Sequence, residues 1–272
     1  MQCIDTEPKP EYDATVHLPL STATAPEPHR RSICSNCHRP NPVCLCHVIP
    51  VEPIETKTKV LILHHPHETH HKLSTTPILT KTLLHASAVT GRRLRRGDIN
   101  SFIDRHSPKP AVMYLFPPSP SSPAVNISDV NIPELTGNGE REVVLIAFDG
   151  TWKHAREMVK ASEEILSDFA IRVCLGVVDE NVSGGNIYDS ELILRKEPFS
   201  GCVSTMEAVA RALSVLEPNG IEIETKLISI LREMVRLQAG FLKPAKPRPK
   251  LLKKVKEKEK KKMEMDDSSL NA

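Results

Sequence analysis

Apolar residues in this chain bunch into short runs, each bounded by proline, glycine or charge. The most continuous are TKVLIL at residues 58–63, AVMYLF at 111–116, the apolar part of REVVLIAFDG at 142–148, and IRVCLG at 171–176. Runs of this length without alternation predict strands buried on both faces, as in a parallel sheet. Between them apolar residues recur at helical spacing. Leu79, Leu83 and Leu84 predict a helix from about residue 77 to 89, with proline at a favourable first-turn position. Further helices are predicted from about 152 to 166, over STMEAVARALSVLE, and over 222–242. Ser204 and Glu207 match a capping box at the start of the second of these. ELILRKEP reads as a short strand and turn, and PPSPSSPAVNISDVNIPELTGNGE as a long, partly extended connection. Strands alternating with helices predict an α/β domain with a mostly parallel sheet.

Composition narrows the class. At 272 residues the chain has room for one large domain or two small ones, and its hydrophobic share of 39% suits a water-exposed globule. No apolar run approaches the roughly 18–20 residues that span a bilayer. The first residues carry acids and no apolar core segment, which predicts no secretory signal, and Glu7, Glu11 and Asp13 argue against an organelle transit peptide. Residues 1–31 are rich in Pro, Thr and Ala without periodicity and read as a disordered leader. The net charge of +2 hides an asymmetry. Residues 243–262 carry eleven Lys or Arg against two Glu, the last ten residues sum to −3, and residues 1–242 are left at −4. The folded body is mildly acidic and the basic character lies in the tail.

Four of the seven cysteines fall within the run CSNCHRPNPVCLC, as Cys34, Cys37, Cys44 and Cys46. Thiols at this spacing wrap a single tetrahedral ion, and zinc favours such a closed set of four soft ligands. With no position left for water the site is structural. Replacing one thiol by His38 or His47 leaves that conclusion unchanged. Tight CxxC and CxC spacing in place of scattered cysteines also predicts a reducing compartment.

Other segments carry candidate chemistry. In AFDGTWKHA a strand runs into Asp149, and Thr151 and Trp152 open the next helix, so the acid sits where open α/β sheets bind ligands. An N-cap aspartate followed by a core tryptophan fits the same spacing, and both readings stay open here. His64, His65, His67, His70 and His71 look like a hydrolase metal site, yet Glu68 is the only acid among them. The expectation for this run is therefore an exposed polar loop after a strand. Thr75 and Thr76 precede a helix, and Ser204 and Thr205 begin another after Arg195 and Lys196, both being places where backbone amides hold an anion. Gly184-Gly185 lacks the pattern of a dinucleotide loop.

Taken together, CSNCHRPNPVCLC, HHPHETHHKLSTTPIL, YLFPPS, DGTW and LRKEPFSGCVSTMEAV resemble the DTW-domain family, in that family's order, over roughly residues 34–216. The chain is most similar to the eukaryotic members that modify tRNA. The resemblance implies a transferase that moves the 3-amino-3-carboxypropyl group of S-adenosylmethionine to N3 of a tRNA uridine, giving acp3U and 5′-methylthioadenosine. It implies a SPOUT-like, knotted α/β fold. Asp149, Thr151 and Trp152 occupy the DxTW signature as catalytic candidates, Asp149 being the expected general base or orienting group, with burial raising its pKa for the first role. Thr75, Leu194, Arg195, Ser204 and Thr205 fall where the wider superfamily holds S-adenosylmethionine.

The expected organisation is a leader over 1–31, a four-cysteine zinc module over 32–50, a DTW (SPOUT-like) catalytic domain over 51–242 and a basic disordered tail over 243–272. That tail suits phosphate-backbone attraction or nuclear import, so the expected location is cytoplasmic, nuclear or both. The expected partners are tRNA and S-adenosylmethionine, with no membrane and no stable protein partner. The competing readings are a SPOUT-like S-adenosylmethionine-dependent RNA methyltransferase, a non-catalytic zinc RNA-binding protein and a zinc hydrolase built on the histidine run.

Overall fold

A computed structural model describes residues 32–103, 108–176 and 203–241, and every element below lies in the compact unit that begins at Ile33. Among the described residues six strands form one sheet: β1 (Thr58–His64), β2 (Ala86–Thr90), β3 (Ala111–Leu115), β4 (Val125–Asn126), β5 (Val143–Asp149) and β6 (Ala170–Cys174). Their order is β2-β1-β5-β3-β6-β4, and every pairing is parallel. Strand β5, late in sequence, is thus inserted between β1 and β3. All seven of its residues are buried, as the unbroken apolar run requires.

Helices α1 (Thr76–Thr82), α2 (Arg96–Ile103), α3 (Ile132–Thr136), α4 (Trp152–Leu166), α5 (Thr205–Leu216) and α6 (Gly220–Ala239) cover the sheet. Alternate residues of each central strand serve opposite faces. Val60, Ile62 and Ala147 join Leu213, Leu227 and Leu231 in one core, while Leu61, Leu63, Ile146 and Phe148 join Met158, Val159 and Leu94 in the other. The cysteine segment belongs to the first core. Leu45 is fully buried there, and His47 bonds Glu233 of α6 at 2.8 Å.

Two junctions fix the frame. Glu217, which ends α5, accepts the amides of Thr58 at 2.6 Å and Lys57 at 3.0 Å, tying that helix to the start of β1. A Cβ added at Gly220 would lie 2.3 Å from the carbonyl oxygen of Ser214, so only glycine allows the tight α5–α6 turn.

Most expected elements are present. The exception is the helix expected over 77–89, which stops at Thr82 and gives way to strand β2. Leu83 is already extended, and the amide of Val60 bonds the carbonyl of His85, so sheet pairing overrides the leucine spacing. The long connection after β3 holds β4 and α3, and α2 has no counterpart among the sequence expectations. The strand and turn expected at ELILRKEP lie outside the described residues. Among the described residues no helix is long and apolar enough to cross a membrane.

Candidate active site

Parallel pairing brings the carboxyl ends of β1, β2 and β5 to one edge, with His64 in register with Asp149 on one side and Thr90 on the other. Asp149 is the centre of a polar cluster there, with only 6% of its surface exposed. Its Oδ2 accepts hydrogen bonds from His64 Nδ1 and Thr76 Oγ1, both at 2.6 Å, and its Oδ1 accepts one from Thr205 Oγ1 at 2.6 Å. The main-chain carbonyl of Asp149 also accepts the amide of His65 at 2.8 Å. One carboxylate therefore holds together β1, β5, α1 and α5.

Burial pushes the carboxyl pKa of Asp149 up, but the donors from His64, Thr205 and Thr76 outweigh it, and the net shift is downward. The expectation that burial would raise this pKa is corrected: desolvation is present and loses to three hydrogen bonds. Asp149 is an anion with most of its acceptor sites taken.

Thr151, not Asp149, is the N-cap of α4, its hydroxyl accepting the amide of His154 at 3.2 Å. Trp152 is half-buried, with its ring 6.2 Å from that of Phe116. Gly150 is a close-packed point, since a Cβ there would lie 3.1 Å from the Cβ of His154 and 3.4 Å from that of His65. Ser204 makes the expected capping box, its Oγ accepting the amide of Glu207 at 3.3 Å and its own amide meeting Glu207 Oε2 at 2.8 Å. Thr75 is buried at the start of α1 without a side-chain capping bond. Beside it the hydroxyl of Ser74 is buried with no hydrogen-bond partner, an acceptor or donor left open for a polar ligand. Leu194 and Arg195 lie outside the described residues.

The histidine run divides. His67, His70 and His71 are exposed as expected, but His64 and His65 are buried at 5% and 3% exposure. His65, His67 and His154 bring nitrogen atoms within 4.8 Å of one another. The rings of His65 and His154 are stacked face to face at 3.9 Å with planes 10° apart, so their in-plane lone pairs run parallel and do not converge on an ion. Burial first, then the charges of His154, His67 and Arg92, pull the pKa of His65 down and keep it neutral.

The cysteines do converge. Cys34 and Cys46 Sγ are 3.5 Å apart, Cys37 and Cys44 Sγ 3.6 Å, and all four sulfurs lie within 4.8 Å of one another. A tetrahedral zinc with bonds of about 2.3 Å needs sulfurs about 3.8 Å apart, so the four thiols fit the ion. His38 takes a left-handed backbone, φ 54°, which folds the chain back so that its amide bonds the carbonyl of Cys34 at 3.0 Å. The amides of Cys37 and Asn36 hold the Cys34 thiol down at about 6, while sharing its proton with Cys34 pushes Cys46 up to about 12. Thiols this crowded resist full ionisation until a cation neutralises them. Zinc there would be held by Cys34, Cys37, Cys44 and Cys46, and would supply cross-linking of the segment.

A family model, the DTW domain, matches residues 31–239. The chain belongs to the DTW-domain family. It is 59% identical over 232 residues, 83% of this chain and 88% of the relative, to the tRNA-uridine aminocarboxypropyltransferase A of Arabidopsis thaliana. It is 27% identical to tRNA-uridine aminocarboxypropyltransferase 2 of Drosophila melanogaster, covering 81% of this chain and 80% of that one. The mouse protein of the same name is 27% identical over 73% of this chain and 61% of its own length. No solved structure matches. In this DTW-domain chain the signature run Asp149-Gly150-Thr151-Trp152 supplies the central acid, a close-packed glycine and a helix cap in succession. His64, expected in an exposed loop, and Thr76, expected only at an anion-holding helix start, are as close to Asp149 as Thr205 is. The register of β1 against β5, unreadable from local pattern, brings His64 to Asp149, and the packing of the start of α1 beside that strand end brings Thr76.

Proposed function

We propose that this chain transfers the 3-amino-3-carboxypropyl group of S-adenosylmethionine to N3 of a tRNA uridine, releasing 5′-methylthioadenosine. The observation that carries the reading is the convergence on one carboxylate of three motifs far apart in sequence. HHPHETHHKLSTTPIL brings His64 and Thr76, DGTW brings Asp149, and CVSTMEA brings Thr205. Membership of the DTW family and the name of the Arabidopsis relative point the same way.

In the reaction the N3–H bond breaks, an N3–Cγ bond forms and the Cγ–S bond of the sulfonium breaks, leaving a neutral thioether. The proton leaves to a base. Asp149 is a poor candidate for that base, because its pKa is depressed and its oxygens are engaged. Its role in this reading is to fix the imidazole of His64, which donates through Nδ1 and so keeps its lone pair on Nε2. His64 Nε2 is then the proton acceptor, and the buried anion beside it favours the positive charge of the sulfonium.

The remaining site residues divide the binding work. The capping box of α5 uses the amides of Ser204 and Glu207, and the amides of Thr205 and Met206 complete the first turn, where a helix of this length favours the co-substrate carboxylate. The open hydroxyl of Ser74 and the buried Thr75 suit its polar groups. Leu194 and Arg195 complete the pocket in this reading, and Trp152 offers a face for a base to stack on. Regiochemistry follows from aiming Cγ instead of the methyl at N3. A SPOUT-like, knotted topology belongs to the same proposal, supported by the insertion of β5 between β1 and β3 and by the return of the chain from β6 to Thr205 at the end of β5. So does the division into a leader, a zinc segment, a catalytic domain and a basic tail.

The test is incubation with labelled S-adenosylmethionine and unmodified tRNA, followed by nucleoside mass spectrometry. Expected are acp3U and methylthioadenosine. S-adenosylhomocysteine as the only nucleoside product would make the chain a methyltransferase, and RNA binding without turnover would make it a binding protein.

A further inference from the structure

The loop after β2 and the first residues of α2 read GRRLRRG, and Arg92, Arg93, Arg95 and Arg96 are all exposed. Four like charges in five residues repel one another, yet the backbone that carries them is anchored three times. The amide of Gly91 bonds the carbonyl of His64 at 3.0 Å, that of Leu94 bonds Ser162 Oγ of α4 at 2.9 Å, and that of Arg95 bonds Asp98 Oδ2 at 2.8 Å. Leu94 is completely buried beneath the loop. Anchors of this kind hold the guanidinium groups together against their mutual repulsion, a cost that an external anion would offset.

Local acids neutralise the group only in part. Arg96 pairs with Asp168 at 2.7 Å, and Asp98 spends an oxygen on the loop backbone, which leaves Arg92, Arg93 and Arg95. Arg92, Arg93 and Arg95 line an open cleft of about 370 Å³ with Gly91, Asp98 and Ala161. Helix α4 exposes Arg156 and Lys160 one turn apart. The loop also stands at the reacting edge of the sheet. Thr90, which precedes it, is in register with His64, which is in register with Asp149. Two strand spacings separate them, about 10 Å.

We propose that the arginine loop of residues 91–96 grips the phosphate backbone of tRNA and sets the distance between that backbone and the uridine at Asp149. This rests on the tRNA reading above and assigns an RNA contact to the folded body in addition to the basic tail. Guanidinium groups suit the role because they donate to phosphate in a fixed fork.

The experiment measures the affinity of the full chain for unmodified tRNA across a salt series, without S-adenosylmethionine. Each phosphate contact contributes about 0.7–0.9 to the slope of log affinity against log salt. The variant R92Q/R93Q/R95Q should lose about 2–3 from that slope and bind at least tenfold more weakly at low salt. R92K/R93K/R95K should keep most of the slope. Unchanged slope and affinity in the glutamine variant, with an unchanged melting temperature, would overturn the proposal. If that variant melts early, Arg92→Gln and Arg93→Gln singly decide, each expected to remove about 0.7–0.9 of slope. A wild type that makes acp3U while the variants bind normally sinks the loop alone. A loop-dependent slope without any acp3U sinks the transferase reading and leaves the loop standing.

Discussion

His64 and Asp149 are register partners at the ends of neighbouring parallel strands, and the imidazole Nδ1 meets the carboxylate at 2.6 Å with both side chains buried. Thr76 donates to the same carboxylate oxygen and Thr205 to the other, so the geometry is set by four separate segments. Asp149→Asn removes the charge while keeping the size. Its amide cannot accept on both oxygen positions, so at least one of the three donors loses its partner. We expect turnover to fall at least about a hundredfold, on the scale of a lost acid–base or electrostatic contribution. Tight tRNA binding should persist. Full turnover with bound tRNA would remove Asp149 from the mechanism.

Acid titration gives an independent measure of the same cluster. A carboxyl whose folded pKa is depressed adds stability that is complete above its unfolded value, about 3.9, and is lost as pH falls through the lower folded value. The stability gap between wild type and Asp149→Asn should thus be constant from about pH 5 to 7 and shrink in more acid solution. A gap that grows on acidification would mean the Asp149 pKa is raised.

Thr205 offers a finer cut. Thr205→Val keeps the shape but leaves Asp149 Oδ1 without its donor, whereas Thr205→Ser keeps the hydroxyl. We expect the valine variant to lose about 1–3 kcal/mol of stability and most activity, and serine to retain both more nearly. Equal behaviour of the two variants would show that the hydrogen bond at 2.6 Å contributes nothing.

Metal removal should be felt in the body of the fold. Leu45 and Cys37 lie in the same core as Leu213 and Leu231, so loosening the cysteine segment exposes apolar surface on α5 and α6. Chelation, or Cys37→Ala, should lower the melting temperature and reduce the zinc found by elemental analysis. Leu45→Ala should cost about 2–5 kcal/mol by itself. A chain that carries no zinc when purified without chelator, and melts identically with and without it, would contradict the assignment.

Removing residues 243–272 should lower tRNA affinity and its salt slope while leaving the melting temperature unchanged. Combined with the arginine-loop variant, the two losses should add, because they remove different phosphate contacts. An unchanged affinity at every salt concentration would strip the tail of this role.

Strands β1, β3 and β5 were legible because burial on both faces forces continuous apolar runs, β6 through its β-branched Ile171 and Val173 although only Val173 of that strand is buried, and Ser204 announced α5 through its capping pair with Glu207. Strand β2 was not, since an edge strand half open to water carries Ala, Ser and Thr, and Leu79, Leu83 and Leu84 happened to imitate a longer helix. Asp149 was found from its place at a strand end. Of its partners Thr205 was found at a helix start, but His64 and Thr76 were not, because they meet it through tertiary contacts 85 and 73 residues away in sequence, and polarity alone cannot distinguish a buried histidine from an exposed one.

Asp149 and Thr205 are 56 residues apart. On a ribosome adding roughly 5–20 residues per second, the acid is made about 3–11 s before the hydroxyl that completes its shell. During that interval the sheet lacks α5 and α6, the cysteine segment lacks its packing surface, and the carboxylate lacks a third donor. The cluster around Asp149 is therefore complete only after the chain has been made through Thr205.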